Sequence, residues 1–218
     1  MTRPLATLLF AIAWLLILPS RAAAQDPPPK IGPFVVDLHG TIPRFPNDDA
    51  QLANSRGLDL RELPGSGTGV HAAANFYLFK WKAVTFGLGA DATFARSHSA
   101  AKPISSTATG RAVAERFTHL APDLSLNFGN GDGWSYLSGG IGSAVWSVVP
   151  DGANAANADR EHLETINYGG GARWFSKRHV AFSFDVRFYA IAPGTPEAGR
   201  AGGPRTTLLV IGGGVSIK

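Results

Sequence analysis

Between Ala181 and Tyr189 every second residue is large and apolar: Phe182, Phe184, Val186 and Phe188 are separated by Ser183, Asp185 and Arg187. A period of two belongs to a β-strand whose faces meet two different media, and it is incompatible with a helix, whose apolar stripe recurs every 3.6 residues. Similar alternation predicts eight strands, over 31–43, 68–79, 84–95, 115–128, 134–146, 164–175, 179–190 and 206–217. The 26 glycines and 15 prolines fit an all-β chain with many turns, and 218 residues suffice for one domain or one small barrel. Alternation alone leaves open which face is inside.

The connections narrow the choice. Those after the second, fourth and sixth segments are tight ("KWKA", "GNGDG", "SKR"). Those after the first, third, fifth and seventh are long and rich in Gly, Pro, Asn, Ser and Asp. An antiparallel up-and-down meander gives this pattern when its two ends are built differently. Transmembrane β-barrels do so, with short periplasmic turns and longer outer loops, and their tilted strands need ~9–11 residues to cross the hydrocarbon.

The residues on each face point the same way. A soluble barrel must solvate its outer face, usually with Lys and Glu. Here the polar face carries small or pairable groups instead: Asp37, His39, Thr41, Asn75, Asp91, Thr93, His119, Asp123, Ser125, Asn127, Arg173, Ser183, Asp185 and Arg187. The other face carries Phe34, Val36, Leu38, Val70, Phe76, Phe86, Leu88, Leu120, Leu124, Leu126, Ile211 and Val215, which suit lipid. The predicted fold is therefore an eight-stranded antiparallel transmembrane β-barrel, apolar outside and polar within. Aromatic residues near the strand ends, among them Trp81, Trp134, Tyr136, Trp146, Trp174, Phe175 and Phe188, are assigned to the two interfacial girdles of such a barrel.

Residues 1–24 read as a secretory leader: Arg3, an apolar run from Leu5 to Leu18, and a small-residue end at Ala22, Ala23 and Ala24. That run is shorter than the ~20 residues of a spanning helix. A Pro-rich lead-in (25–30) precedes the barrel (31–218). The chain has no cysteine, which excludes disulfide scaffolds and thiolate metal sites. Its net charge of +4 includes Arg3 and Arg21 of the leader, so the remainder is too weakly basic to suggest nucleic acid.

The stretch "GGGARWFSKRHVAFSFDVRFY" (169–189) resembles the penultimate hairpin of the OmpA-like small outer-membrane β-barrel family: a Gly-x-Gly-x-Arg-aromatic strand, a short polar turn, and an alternating strand with Asp-x-Arg. "FGLGADATF" (86–94) and the terminal "VIGGGVSIK" resemble the family too, and the likeness extends over nearly all of the chain after the leader. One departure is the ending, Ile217-Lys218, where family members usually end in an aromatic residue. The resemblance implies location in the outer membrane of a Gram-negative-type cell, a monomer, and contact with outer-membrane lipid or lipopolysaccharide and with the β-barrel assembly machinery. It implies no catalytic residue and no cofactor. The role expected is structural or surface-interactive, carried by the long loops.

The lumen of an eight-stranded barrel is filled by side chains, so no open pore is expected. Asp37, Asp91, Arg173, Asp185 and Arg187 share the polar parity and should form a charge network there, because an unpaired buried charge costs several kcal/mol. The six histidines lack metal-ligand spacing. "GNGDG" lacks the acidic pattern of a calcium loop, and "GGIG" and "GGG" do not join a strand to a helix, so neither is a phosphate cradle. Two alternatives remain at this level. One is a soluble periplasmic, lipocalin-like barrel holding a small apolar ligand. The other is a lipid A-modifying enzyme using His98, flanked by Ser97 and Ser99, with Glu115 as the acid.

Overall fold

The computed structural model describes residues 29–153, 161–196 and 201–218. The leader (1–24), most of the lead-in (25–30) and parts of two long loops lie outside the described residues. Eight strands close into one barrel in chain order: β1 (Phe34–Arg44), β2 (Thr68–Trp81), β3 (Val84–Ser99), β4 (Val113–Asn130), β5 (Gly133–Pro150), β6 (Glu161–Phe175), β7 (Val180–Ile191) and β8 (Thr206–Ile217). Every neighbour pair is antiparallel, and β1 closes on β8 through Val36↔Ile217 to Arg44↔Leu209. Among the described residues no helix is long and apolar enough to cross a membrane.

The two ends differ as the loop lengths predict. Lys82 and Ala83 join β2 to β3, and Gly131 and Asp132 join β4 to β5. The opposite end carries the long connections. In the first of them, helix α1 (Ala50–Ser55) is capped by Asp49, whose carboxylate accepts from the backbone N–H groups of Gln51 and Leu52, and a 3-10 turn (Leu60–Glu62) follows.

The strands differ from the predicted segments mainly in height. β3, β4 and β5 run to 16, 18 and 18 residues, against 11 for β1 and 12 each for β7 and β8. Pairing continues to Ser99↔Val113 and Val113↔Pro150. At this end of β3 the two faces carry Arg96, Ser97, His98 and Ser99, so hydrophobicity no longer alternates although the pairing goes on.

Burial follows parity, inverted relative to a soluble protein. Outward Leu124 and Ile141 are 66% and 69% exposed, while inward Asp37 and Arg187 are 1% and 2%. Phe182 and Phe184 face out, and Ser183, Asp185 and Arg187 face in. Gly171, in the triple-glycine stretch, is a packing requirement. A Cβ there would lie 2.1 Å from the carbonyl oxygen of Phe184 and 2.8 Å from the hydroxyl of Tyr136, whose ring occupies the lumen.

Candidate functional site: a filled lumen and a covered outer mouth

The lumen is built in layers from the short-turn end upward. At the bottom Tyr77 meets Trp134 edge-on, and Trp134 stacks on Phe175 at 4.9 Å. The ammonium of Lys218 lies 3.8 Å from the Phe175 ring centre and donates to the carbonyl of Gly131. Burial lowers the pKa of Lys218 from its ordinary value, against the pull of Asp132.

Above this plug sits a connected ionic layer. Arg173 on β6 grips Asp37 on β1 with two parallel bonds, Nε to Oδ1 at 2.8 Å and Nη2 to Oδ2 at 2.5 Å, and the Ser216 hydroxyl adds a third at 2.5 Å. The same guanidinium lies 3.8 Å from the Tyr136 ring centre. Tyr136 donates to Asp185 at 2.7 Å, and Arg187 pairs with Asp185 at 3.3 Å and donates to Ser138 at 2.9 Å. All of these side chains are buried.

Asp91 lies outside that chain and has partners of another kind. His71 Nε2 and His119 Nδ1 both stand 3.6 Å from its Oδ2, and Asn167 donates to Oδ1. The reason lies in the register: His71 and His119 flank Thr93, two residues from Asp91, on either side of β3. His39 bonds Ser183 at 2.8 Å, and Thr93 bonds Tyr189 at 2.6 Å. Among the described residues no group of three or more His, Asp and Glu is arranged to hold a metal ion.

The upper lumen turns apolar. Phe117, Val113, Ala144, Val148, Leu163, Ile191, Leu208 and Val210 form one cluster with Phe45, Leu52, Leu58 and Leu63 from the first long loop, so this loop folds down as a cover. Glu62 latches it. Its carboxylate accepts from Arg111 N at 2.5 Å, Arg111 Nε at 3.1 Å, Arg111 Nη2 at 3.1 Å and Asp59 N at 2.7 Å, and Ser99 donates to its carbonyl at 2.5 Å. The Arg111 side chain holds the Glu62 carboxyl down at about 2, although burial pushes the other way, and Glu62 in turn raises Arg111.

Comparison with solved structures follows from this geometry. The chain is similar to the crystal structure of Neisserial surface protein A, at 12% identity and a TM-score of 0.51, over 86% of this chain and 97% of that one. It is also similar to Ail, the attachment invasion locus protein of Yersinia pestis, at 11% identity and a TM-score of 0.44, over 84% and 96%. The fold is that of the small eight-stranded outer-membrane barrels. No family model matches the sequence, and no curated protein matches it.

Several residues assigned to the girdles lie elsewhere. Trp134, Tyr136 and Trp146 are only 3%, 4% and 2% exposed and point into the lumen, whereas Trp81 and Trp174 are 61% and 56% exposed on the outer face. Phe188 is half-buried with outward parity, stacked on Tyr168, and Phe175 shares the inward parity of Arg173. The correction is one of parity. Trp134, Tyr136 and Trp146 alternate with outward Leu137 and Ile141, so proximity to a strand end does not place a ring in lipid. Trp146 instead donates to the fully buried Glu115 at 2.7 Å.

The Ser/His/acid arrangement does not assemble. His98 points out and bonds Asp151 at 2.7 Å, while Ser97 and Ser99 point in and donate to the carbonyls of Ser66 and Glu62. Neighbours in a strand lie on opposite faces. Glu115, also inward, is engaged by Trp146.

Proposed function

We propose that the chain is an outer-membrane β-barrel with a surface-interactive role, non-conducting and without catalysis. One observation carries the reading: a closed barrel with an apolar outer face and a buried ionic lumen. Hydrocarbon accepts that surface because the closed sheet leaves no open edge, and water accepts it poorly. The aromatic plug at the short-turn mouth and the loop cover at the other leave side chains where a channel would run. The surface role rests on the long loops, two of which are tied into one ordered structure by Glu62 and Arg111 and by Arg61 Nη1 donating to the carbonyl of Ile104 at 2.6 Å. A monomer inserted by the β-barrel assembly machinery and surrounded by outer-membrane lipid is the form this reading gives.

A soluble, lipocalin-like carrier needs an open apolar cavity, whereas the apolar upper lumen here is filled by the first long loop and the lower lumen is lined by Asp37, Asp91, Asp185, Arg173 and Arg187. Membrane fractionation together with a gel of boiled and unboiled samples tests the proposal. Sedimentation with outer membranes and faster migration of the unboiled form are expected. Recovery in the soluble periplasm with no heat-dependent shift would overturn it.

A further inference from the structure

The outer face changes character on one side of the barrel, immediately above its apolar band. A cross-strand row, Thr68, Arg96, Arg116 and Ser147, runs in register across β2, β3, β4 and β5, all with outward parity. The row below it is Val70, Phe94, Thr118 and Val145. Arg96 and Arg116 are thus direct cross-strand neighbours, with Cβ atoms ~5 Å apart in such a pair, and two like charges in this position repel. Among the described residues neither guanidinium has an ion pair or hydrogen bond. The nearby carboxylates are otherwise engaged: Asp151 bonds His98, and Glu115 points inward to Trp146.

The space in front of the row is shaped for something. A groove of ≈ 470 Å³ is lined by Thr68, Val70, Phe94, Arg96, Arg116 and Thr118. Its lower wall is apolar and its upper wall cationic, so it matches a molecule with hydrocarbon below and an oxyanion above. A free anion meets only the upper half, and an uncharged lipid only the lower. Depth agrees with this. The outward apolar run on β3 from Phe86 to Phe94 covers roughly 20 Å of height at ~3.3 Å per residue and ~40° tilt. Arg96 follows one pleat higher, at the level where headgroups begin. Two adjacent guanidinium forks and the Thr68 hydroxyl can surround a phosphate, with neutralisation relieving their mutual repulsion. Across the barrel, on β7, the outward residues near this end are Phe188 and Ala190.

We infer that Arg96, Arg116 and Thr68 bind the phosphorylated headgroup of an outer-leaflet lipid, whose acyl chain lies along Val70 and Phe94. The inference rests on the outer-membrane reading above, and its test separates the two.

The experiment uses the chain without its leader, folded in detergent micelles. Native mass spectrometry measures binding of diphosphoryl lipid A, of lipid A stripped of both phosphates, and of inorganic phosphate. Wild type is compared with R96Q/R116Q and with K80Q/K82N, which removes the same charge at the opposite rim. Diphosphoryl lipid A should bind wild type and K80Q/K82N equally and R96Q/R116Q about tenfold or more weakly. The stripped lipid should bind wild type at least about tenfold more weakly, and inorganic phosphate should not compete at equal concentration. Equal binding by R96Q/R116Q, an equal loss in K80Q/K82N, or full competition by inorganic phosphate would each overturn the site. If the double variant does not fold, R116Q alone provides the comparison, with a loss of about threefold expected and no loss overturning the site. A boiled-versus-unboiled gel is run on every protein. No shift in wild type overturns the membrane barrel itself, whereas a normal shift in all variants with unchanged lipid binding overturns this inference alone.

Discussion

The lower and upper halves of the lumen both fill a closed barrel, and they do so with opposite chemistry. Below, Asp37, Arg173, Tyr136, Asp185 and Arg187 form a continuous polar chain drawn from four strands. Above, Phe117, Leu163, Ile191 and Leu208 pack under Leu52, Leu58 and Leu63 from a loop. The lower half is wall against wall, so it ties the barrel to itself. The upper half is wall against loop, so it governs whether the mouth is open. Damage below should therefore unfold the molecule, and damage above should uncover it.

The largest effect is expected below. Asp37→Ala leaves Arg173 buried without its partner and should cost about 3–5 kcal/mol in denaturant unfolding from micelles. Replacing both partners by apolar residues, D37L with R173M, should recover most of that loss, because the remaining groups no longer include a stranded charge. A double variant as unstable as D37A would mean that the ionic layer does more than satisfy its own charges.

Leu52→Ala comes next, at about 2–4 kcal/mol by the usual cost of truncating a fully buried leucine. Its effect should be confined to the cover. Amide exchange around 45–67 should accelerate while β1 to β8 stay protected and the heat-dependent gel shift persists. Loss of strand protection as well would join the two halves into one cooperative unit.

A smaller effect is expected at the latch. The Glu62 carboxyl is held below its ordinary value, down to about 2. Its stabilising contribution is therefore complete above pH ~4.5, declines as the pH falls through that value, and is gone below about 2. Half of the Arg111 side chain is exposed, which limits the pair to roughly 1 kcal/mol. The cover's opening equilibrium, taken from exchange rates divided by the intrinsic amide rate at each pH, should rise a few-fold on acidification across this window. In Glu62→Gln that equilibrium should already be raised at pH 7 and respond little to pH.

The smallest signal is optical. Brominated lipid should quench single-tryptophan proteins retaining Trp81 or Trp174 and leave those retaining Trp134 or Trp146 nearly unaffected. Equal quenching of all four would return the inward pair to the girdles.

Much of the wall was legible because lipid and a filled lumen impose the same period-two rule on every strand. The alternation of Phe182 and Phe184 with Ser183 and Asp185 states the orientation directly, and the scarcity of lysine in the strands, where Lys80 stands at the turn end of β2, decides its sign. The cover was not legible. Its apolar residues, Phe45, Leu52, Leu58 and Leu63, are scattered through a Pro-, Asn- and Gly-rich loop without a period, and only folding over Phe117 and Val113 makes them a cluster. The upper strand ends were hidden for a related reason. Arg96, Ser97, His98 and Ser99 continue the ladder beyond the apolar band, where hydrophobicity no longer alternates. The inward tryptophans were misplaced by reading position along a strand without parity. The partners of Asp91 depend on register across three strands, which a single segment does not contain.

The central claim is that the apolar face meets lipid, and the chain's lack of cysteine makes it directly measurable. Single cysteines carrying a nitroxide can be placed at Leu124, Ile141 and Phe182, and at inward Ser125, Ser138 and Ser183, in protein reconstituted into bilayers. Collision with dissolved oxygen, which concentrates in hydrocarbon, should be high at the first three sites and low at the other three. High oxygen contact at the serines with low contact at Leu124, Ile141 and Phe182 would contradict the account.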